Sequence, residues 1–249
     1  MNETKITLVT GANKGIGRQI AGQLGALGHI VVIGARNAEL GRKAATELRE
    51  SGADAASVVL DVTDPVSAAA AATEIESRYG RLDTLVNNAG ISGPPSSDMG
   101  DQRPSTADLD VLRAIFETNY FGVIAVTNAM LPLLRRSASP RIVNVSSSVG
   151  SLSINADLER TDGPPIPISA GYVTSKSALT ALTLQYARDL LPDGIKVNAV
   201  CPGYVATDLN GHRGHRTPAE GAVAAVRMAT IGADGPTGTF TDDEGPAPW

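Results

Sequence analysis

The stretch Ile6-Thr7-Leu8-Val9-Thr10-Gly11-Ala12-Asn13-Lys14-Gly15-Ile16-Gly17 decides the fold. A short run rich in β-branched residues, Ile6–Thr10, stops at a glycine-rich turn, and helical spacing takes over from residue 15. Glycines let the chain turn tightly and bring backbone N–H groups against an anion such as a pyrophosphate. The start of the following helix adds partial positive charge. The turn alone is a weak signal in a chain with 26 glycines; its place between the first strand and the first helix makes it informative. Read without a ligand, the same segment is a tight strand–helix turn.

Outward from this turn the pattern repeats. Strand-like runs occur at Ile6–Thr10, Ile30–Ala35, Ala56–Asp61, Leu85–Asn88, Arg141–Ser147 and Lys196–Cys201. Helical spacing fills 15–27, 38–51, 65–79, 108–136 and 171–190. Strands separated by helices of this length imply right-handed crossovers and a parallel sheet covered on both faces. The strands barely alternate with polar residues, as double-sided burial requires. The expected architecture is α/β: a Rossmann-type, doubly wound sheet of about seven mostly parallel strands in one domain over residues 1–249. The loops at 91–107, 148–170 and 203–217 all follow strands. They are expected at the carboxyl ends of the sheet, where such folds bind ligands.

Composition narrows the function. The chain has 249 residues, 42% of them hydrophobic, and a formal net charge of -5 with pI about 5.2. It has no general attraction for nucleic acid or anionic membranes, so a bound phosphate needs a local site. One cysteine, Cys201, excludes an intrachain disulfide and reads as buried packing. No secretory leader and no long apolar run are visible, so a cytoplasmic protein that does not span a membrane is expected.

The end of the second strand meets the adenosine ribose in a dinucleotide fold. An acid there selects NAD and repels a 2′-phosphate. Here the strand ends Gly34-Ala35-Arg36-Asn37, with no acid before Glu39. Arg36 can pair bidentately with a phosphate, and Lys14 lies on the same side of the expected site. Two cations and no carboxylate point to NADP(H). Without a ligand, Arg36 is a solvated arginine at the start of a helix, and Asp61 is an N-cap for the helix after the third strand.

The chemistry is concentrated in Tyr172-Val173-Thr174-Ser175-Lys176, which puts a phenol and an ammonium on one helix face. Hydride addition to a carbonyl leaves an alkoxide that needs a proton, and a phenol can supply it. A cation about 4 Å away is worth about 4 kcal/mol at a dielectric near 20, enough to lower the phenol by up to roughly three pKa units. A hydroxyl for the substrate oxygen is expected from Ser146-Ser147-Ser148, which could also be a simple turn. Asn119 sits in an apolar helical segment, where an amide is unfavourable unless its side chain has a partner.

Thr10–Gly17, read as TGxxxGxG, resembles the glycine turn of the short-chain dehydrogenases/reductases. Asn87-Asn88-Ala89-Gly90 resembles the family's NNAG, and Pro202-Gly203-Tyr204-Val205-Ala206-Thr207 its PGxxxT. With the YxxxK above, these motifs span residues 10–207 in the family's order. The resemblance implies cofactor contacts from Gly11, Asn13, Lys14, Gly15, Ile16, Gly17 and Arg36. It adds Asp61 and Val62 at the adenine, and Asn88, Ala89 and Gly90 along the ribose. Pro202, Gly203, Val205 and Thr207 would lie at the nicotinamide, with Tyr172 and Lys176 completing the set. Asn87 is expected to tie neighbouring strands together. The implied catalytic set is Asn119, Ser147, Tyr172 and Lys176, with Asn119 holding a water that relays protons. Ser147 and Tyr172 are 25 positions apart, about twice the common family spacing. The extra residues resemble the insert of the carbonyl-reductase-like branch and favour a monomer. The expected activity is reversible NADPH-dependent reduction of a ketone or aldehyde, with no metal. The alternative is a catalytically silent NADP(H)-binding sensor or scaffold. Sugar-nucleotide epimerisation would need a substrate domain for which 249 residues leave no room.

Overall fold

The computed structural model describes residues 4–95, 97, 100–161 and 166–249. Parts of the expected 91–107 and 148–170 loops, namely Ser96, Asp98, Met99 and residues 162–165, lie outside the described residues, as do Met1–Glu3.

Seven strands form one sheet: β1 (Ile6–Thr10), β2 (Ile30–Ala35), β3 (Ala55–Val59), β4 (Thr84–Asn87), β5 (Arg141–Val145), β6 (Lys196–Val200) and β7 (Phe240–Thr241). Every pairing is parallel, and the spatial order is β3-β2-β1-β4-β5-β6-β7. The order in which strands are added reverses at β1, whose neighbours are β2 and β4, so a crevice opens where β1 and β4 end. The last strand starts at Phe240, where the glycine-rich GPTGTF stretch ends, because glycines make a poor strand interior.

Helices cover both faces. On one side α1 (Gly15–Ala26), α2 (Ala38–Glu50) and α8 (Pro218–Ala229) pack on Val9, Val31, Ile33, Val86 and Val143. On the other, α3 (Pro65–Tyr79), α5 (Gly122–Leu134) and α7 (Tyr172–Asp189) pack on Leu8, Val32, Leu85 and Ile142. Leu8, Ile33, Leu85 and Ile142 are fully enclosed, each worth roughly 1.5–3 kcal/mol of apolar burial. Two further helices, α4 (Leu109–Phe116) and α6 (Leu152–Ala156), belong to the regions after β4 and β5. The segment 108–136, expected as one helix, is divided by a π-helical turn at Glu117–Phe121. α8 was not expected, although Thr217-Pro218-Ala219-Glu220 starts it with a capping box and a proline at its first position.

Candidate active site

The glycine turn and the end of β4 are stitched together. Thr10 Oγ1 accepts from the N–H groups of Asn88 and Ala89, both at 2.9 Å. Asn88 Nδ2 donates back to the Thr10 carbonyl at 2.9 Å. Gly11 and Gly15 have φ of 63° and 58°, the left-handed region. At Gly17 the constraint is close approach, since a Cβ would lie 2.4 Å from Asn88 Nδ2. α1 then begins at Gly15 with no side-chain cap and no acid in its first turn, so its first N–H groups stay available. This cradle suits a pyrophosphate, which supplies the anion that a capping side chain would otherwise provide.

Around it lie the other expected cofactor residues. Arg36 is exposed at the end of β2, and Asn37 caps α2 through Leu40 N. Asp61 receives the hydroxyl and N–H of Thr63, and those bonds, with the Arg36 charge adding to them, hold its carboxyl below the ordinary range. The N-cap of α3 is Asp64, not Asp61, because Pro65 starts the helix and Asp64 reaches Val66 N at 2.9 Å. Val62 is buried, and its carbonyl lies 2.9 Å from a Cβ placed on Gly122. Lys14 forms an ion pair with Asp208, which also meets His212 Nε2 at 2.8 Å. That pairing, led by Lys14, keeps Asp208 below the usual carboxylate range. Thr207 comes beside Gly15, 3.7 Å from a Cβ built there. The Val205 carbonyl is taken by Asn210 Nδ2 at 2.9 Å, and Gly203 turns at φ 77° after Pro202.

The reactive groups meet at the ends of β5 and α7. Asn87 and Asn144, opposite each other in register, bond at 2.9 Å, and Asn144 reaches Thr183 on α7 at 2.9 Å. Asn87 is thus a strand tie, as expected. Gly150 lets the turn after β5 touch α7, for a Cβ there would sit 2.7 Å from the Lys176 carbonyl carbon. The three serines then divide. Ser146 is buried, its hydroxyl spent on Thr180 Oγ1 at 2.7 Å and the Lys176 carbonyl. Ser148 donates its N–H to Cys201 Sγ at 3.2 Å. Ser147, whose Oγ accepts from Val149 N at 3.4 Å, is the serine of the three that acts on the Tyr172 phenol, lowering its pKa.

Lys176 is 5% exposed and donates to the Val145 carbonyl at 2.9 Å. Its ammonium lies 5.8 Å from the centre of the Tyr172 ring. Burial pushes Lys176 down to about 8 and Tyr172 up to about 12; the nearby Cys201 sulfur adds to the rise of the phenol, and the Ser147 bond opposes it. The expected lowering of the phenol is therefore reversed in this structure. Desolvation outweighs attraction, and the lysine proton is directed at a carbonyl. Cys201 itself is buried beside this pair.

Asn119 is fully buried in the π-helical turn. Its amide is engaged: Oδ1 accepts from Ile91 N at 2.9 Å, and Nδ2 donates to Ile91 O at 2.9 Å and Ser175 Oγ at 3.0 Å. Ser175, which stands inside YxxxK with no signal of its own, donates in turn to the Tyr172 carbonyl at 2.7 Å. Gly90 sits between these groups, since a Cβ there would be 3.2 Å from Asn119 Oδ1 and 3.5 Å from Lys176 Nζ. A surface cavity of about 400 Å³ lies away from all this, between Arg42, Arg49 and Arg78 at the β3 edge. Among the described residues no group of His, Cys, Asp and Glu is arranged to hold a metal, and no helix is long and apolar enough to cross a membrane.

The seven-stranded parallel sheet and the residues gathered at its switch point are those of a Rossmann-type oxidoreductase. The family model for short chain dehydrogenases matches residues 5–217. (-)-Isopiperitenone reductase of Mentha piperita is 35% identical over 95% of this chain and 95% of its own length. The structure of salutaridine reductase from Papaver somniferum has a TM-score of 0.81 at 33% identity, covering 96% of this chain and 99% of that one. The NADP active-site complex of Pseudomonas aeruginosa RhlG has a TM-score of 0.79 at 29% identity, covering 96% and 94%. The chain belongs to the short-chain dehydrogenase/reductase family, whose oxidoreductases use nicotinamide cofactors.

Proposed function

We propose that this protein is an NADPH-dependent carbonyl reductase that converts an apolar ketone or aldehyde to its alcohol, reversibly, and that it works as a monomer. One observation carries the reading: buried Lys176 lies one helical turn beyond Tyr172, its ammonium 5.8 Å from the centre of the phenol ring, with Ser147 acting on the same phenol and Gly90 of the β4 end packed against the ammonium. Arg36, free of any carboxylate on its own strand end, favours a 2′-phosphate. The NADP complex of RhlG, a relative of the same fold, supports that choice. Exposed Leu152, Leu158, Ile168, Tyr204 and Leu209 in the surrounding loops favour an apolar substrate.

When bound, NADPH supplies the hydride; the chain supplies the rest. Ser147 donates to the carbonyl oxygen and holds it beside the phenol. Tyr172, raised to about 12, is protonated at neutral pH and passes its proton to the nascent alkoxide. Lys176, held near 8, loses and regains a proton close to neutral pH and is the neighbouring group able to restore the phenol. Asn119 fixes Ile91 and Ser175 around the pair. A half-buried pair of hydroxyls aimed at the developing alkoxide is worth several kcal/mol of transition-state stabilisation, on the order of 10²–10³ in rate per donor.

The test is NADPH absorbance with a panel of cyclohexanone, benzaldehyde and phenanthrenequinone, for wild type and Tyr172→Phe. Turnover that Tyr172→Phe abolishes supports the proposal. NADPH binding with no carbonyl reduced would replace it with the silent sensor.

A further inference from the structure

Gln102 ends a short 3-10 turn (Gly100–Gln102) in the loop after β4, yet it is 1% exposed. A buried amide is costly unless its groups find partners. Here Oε1 accepts from Ser169 Oγ at 2.6 Å and from Tyr172 N at 3.0 Å. Nε2 donates to the Ser92 carbonyl at 2.6 Å, and the Gln102 carbonyl accepts from Ala170 N at 2.7 Å. Ser92 in turn donates through its hydroxyl to the Leu209 carbonyl at 2.9 Å. Gln102 therefore ties the loop after β4 to the loop after β5 and to the backbone of Tyr172, and Ser92 extends the chain of bonds to the loop after β6.

The local need is plain. α7 begins at Tyr172 behind Gly171, which offers no capping side chain. The first N–H groups of a helix need acceptors, and without them the first turn frays. Gln102 and Ser169 supply acceptors from outside the helix, with Ser169 Oγ 2.8 Å from Tyr172 N. Glycine at 171 is what admits the amide, since a Cβ there would lie 2.8 Å from Gln102 Oε1.

We propose that Gln102 is a positioning residue: it holds the first turn of α7, aims the Tyr172 phenol, and couples that aim to the three loops around the substrate. The inference rests on Tyr172 being the proton donor. Fixing the chain on the carbonyl side of Tyr172 falls to Ser175; fixing it on the N–H side falls to Gln102 and Ser169. A misplacement of about 1 Å at a reacting group can cost about 10²-fold in rate.

The experiment compares wild type, Gln102→Leu, Gln102→Glu and Ser169→Ala in the full chain, with cyclohexanone, benzaldehyde and phenanthrenequinone as probes. It reads kcat, KM, NADPH affinity by fluorescence titration, and amide hydrogen exchange of peptides covering 170–176. Gln102→Leu is expected to lower kcat roughly 10–100-fold and to speed exchange at the start of α7, with NADPH affinity within about threefold of wild type. Gln102→Glu keeps both acceptor bonds but turns the donor to the Ser92 carbonyl into an acceptor and buries a charge, so it should protect the start of α7 better than Gln102→Leu while leaving kcat below wild type. Wild-type kcat and wild-type exchange in Gln102→Leu overturn the proposal. Should that variant not fold, Ser169→Ala decides: faster exchange with lower kcat supports the proposal, and no change in either overturns it. If wild type reduces no carbonyl, the reductase reading fails. The Gln102–Tyr172 link then stands or falls on exchange alone.

Discussion

Replacing Lys176 with Met should raise stability while removing activity. Lys176 is buried, and its ammonium is held at about 8 against an ordinary 10.5. That gap corresponds to a cost of about 3 kcal/mol for keeping the charge in the folded chain, at roughly 1.4 kcal/mol per tenfold. Met has a similar shape and no charge, so the cost disappears. The Val145 carbonyl, which Lys176 meets at 2.9 Å, loses its donor. An acceptor stranded in this way costs about 1–2 kcal/mol. The net gain at pH 7 is about 1–2 kcal/mol, or roughly 3–6 °C in Tm for a chain of this size. The gain depends on pH in a definite sense. The folded-state value lies below the unfolded one, so the charging cost is complete below pH 8. It fades between 8 and 10.5 and is absent above. Near pH 9.5 about half of it remains, and the advantage of the Met variant shrinks toward zero. Thermal unfolding followed by circular dichroism at pH 7 and 9.5, with NADPH turnover measured on the same samples, is the assay. A Met variant less stable than wild type at pH 7, or a difference that does not change with pH, would refute the argument that desolvation strains this lysine.

Four further outcomes are expected. Ser147→Ala should lower kcat by about 10²–10³ with little change in stability. Ser146→Ala, which loses only its bonds to α7, should cost about 1 kcal/mol of stability and leave kcat within severalfold; equal kinetic losses would argue against the assignment. Gly17→Ala forces a Cβ against Asn88 Nδ2, 2.4 Å away, and should weaken NADPH binding at least about tenfold, or about 1.4 kcal/mol, read by fluorescence titration. Arg36→Asp should move the preference from NADPH toward NADH, and unchanged kcat/KM for NADPH would show that Arg36 does not meet the 2′-phosphate.

Much of the architecture was legible from the chain alone, because it rests on local physics. β-branched runs, glycine at positive φ and 3.6-residue spacing act over a few residues, and they placed six strands and the turn at Gly11–Gly17 within a residue or two. The motifs pointed to Tyr172, Lys176 and the serine cluster for the same reason: a helix turn and a strand end define each neighbourhood. The start of α8 is written in the sequence too, in the Thr217–Glu220 capping box. The π-helical turn at Asn119 was not, since the Asn119 amide finds its partner in the backbone of Ile91, 28 positions earlier.

What tertiary structure alone decided is how each group is spent. The resemblance already pointed to Ser147; what only the fold shows is that the Ser146 hydroxyl is taken by Thr180, 34 positions away. The direction of the Tyr172 and Lys176 shifts depends on how completely the fold dries the site, and the pairing rule read from sequence carries no desolvation. Lys14 meets Asp208 across 194 positions, and Gln102 meets Tyr172 across 70. Sequence assigns residue types to a helix, strand or turn by short-range sterics. Burial and partner choice are set by which distant segments the sheet order brings together.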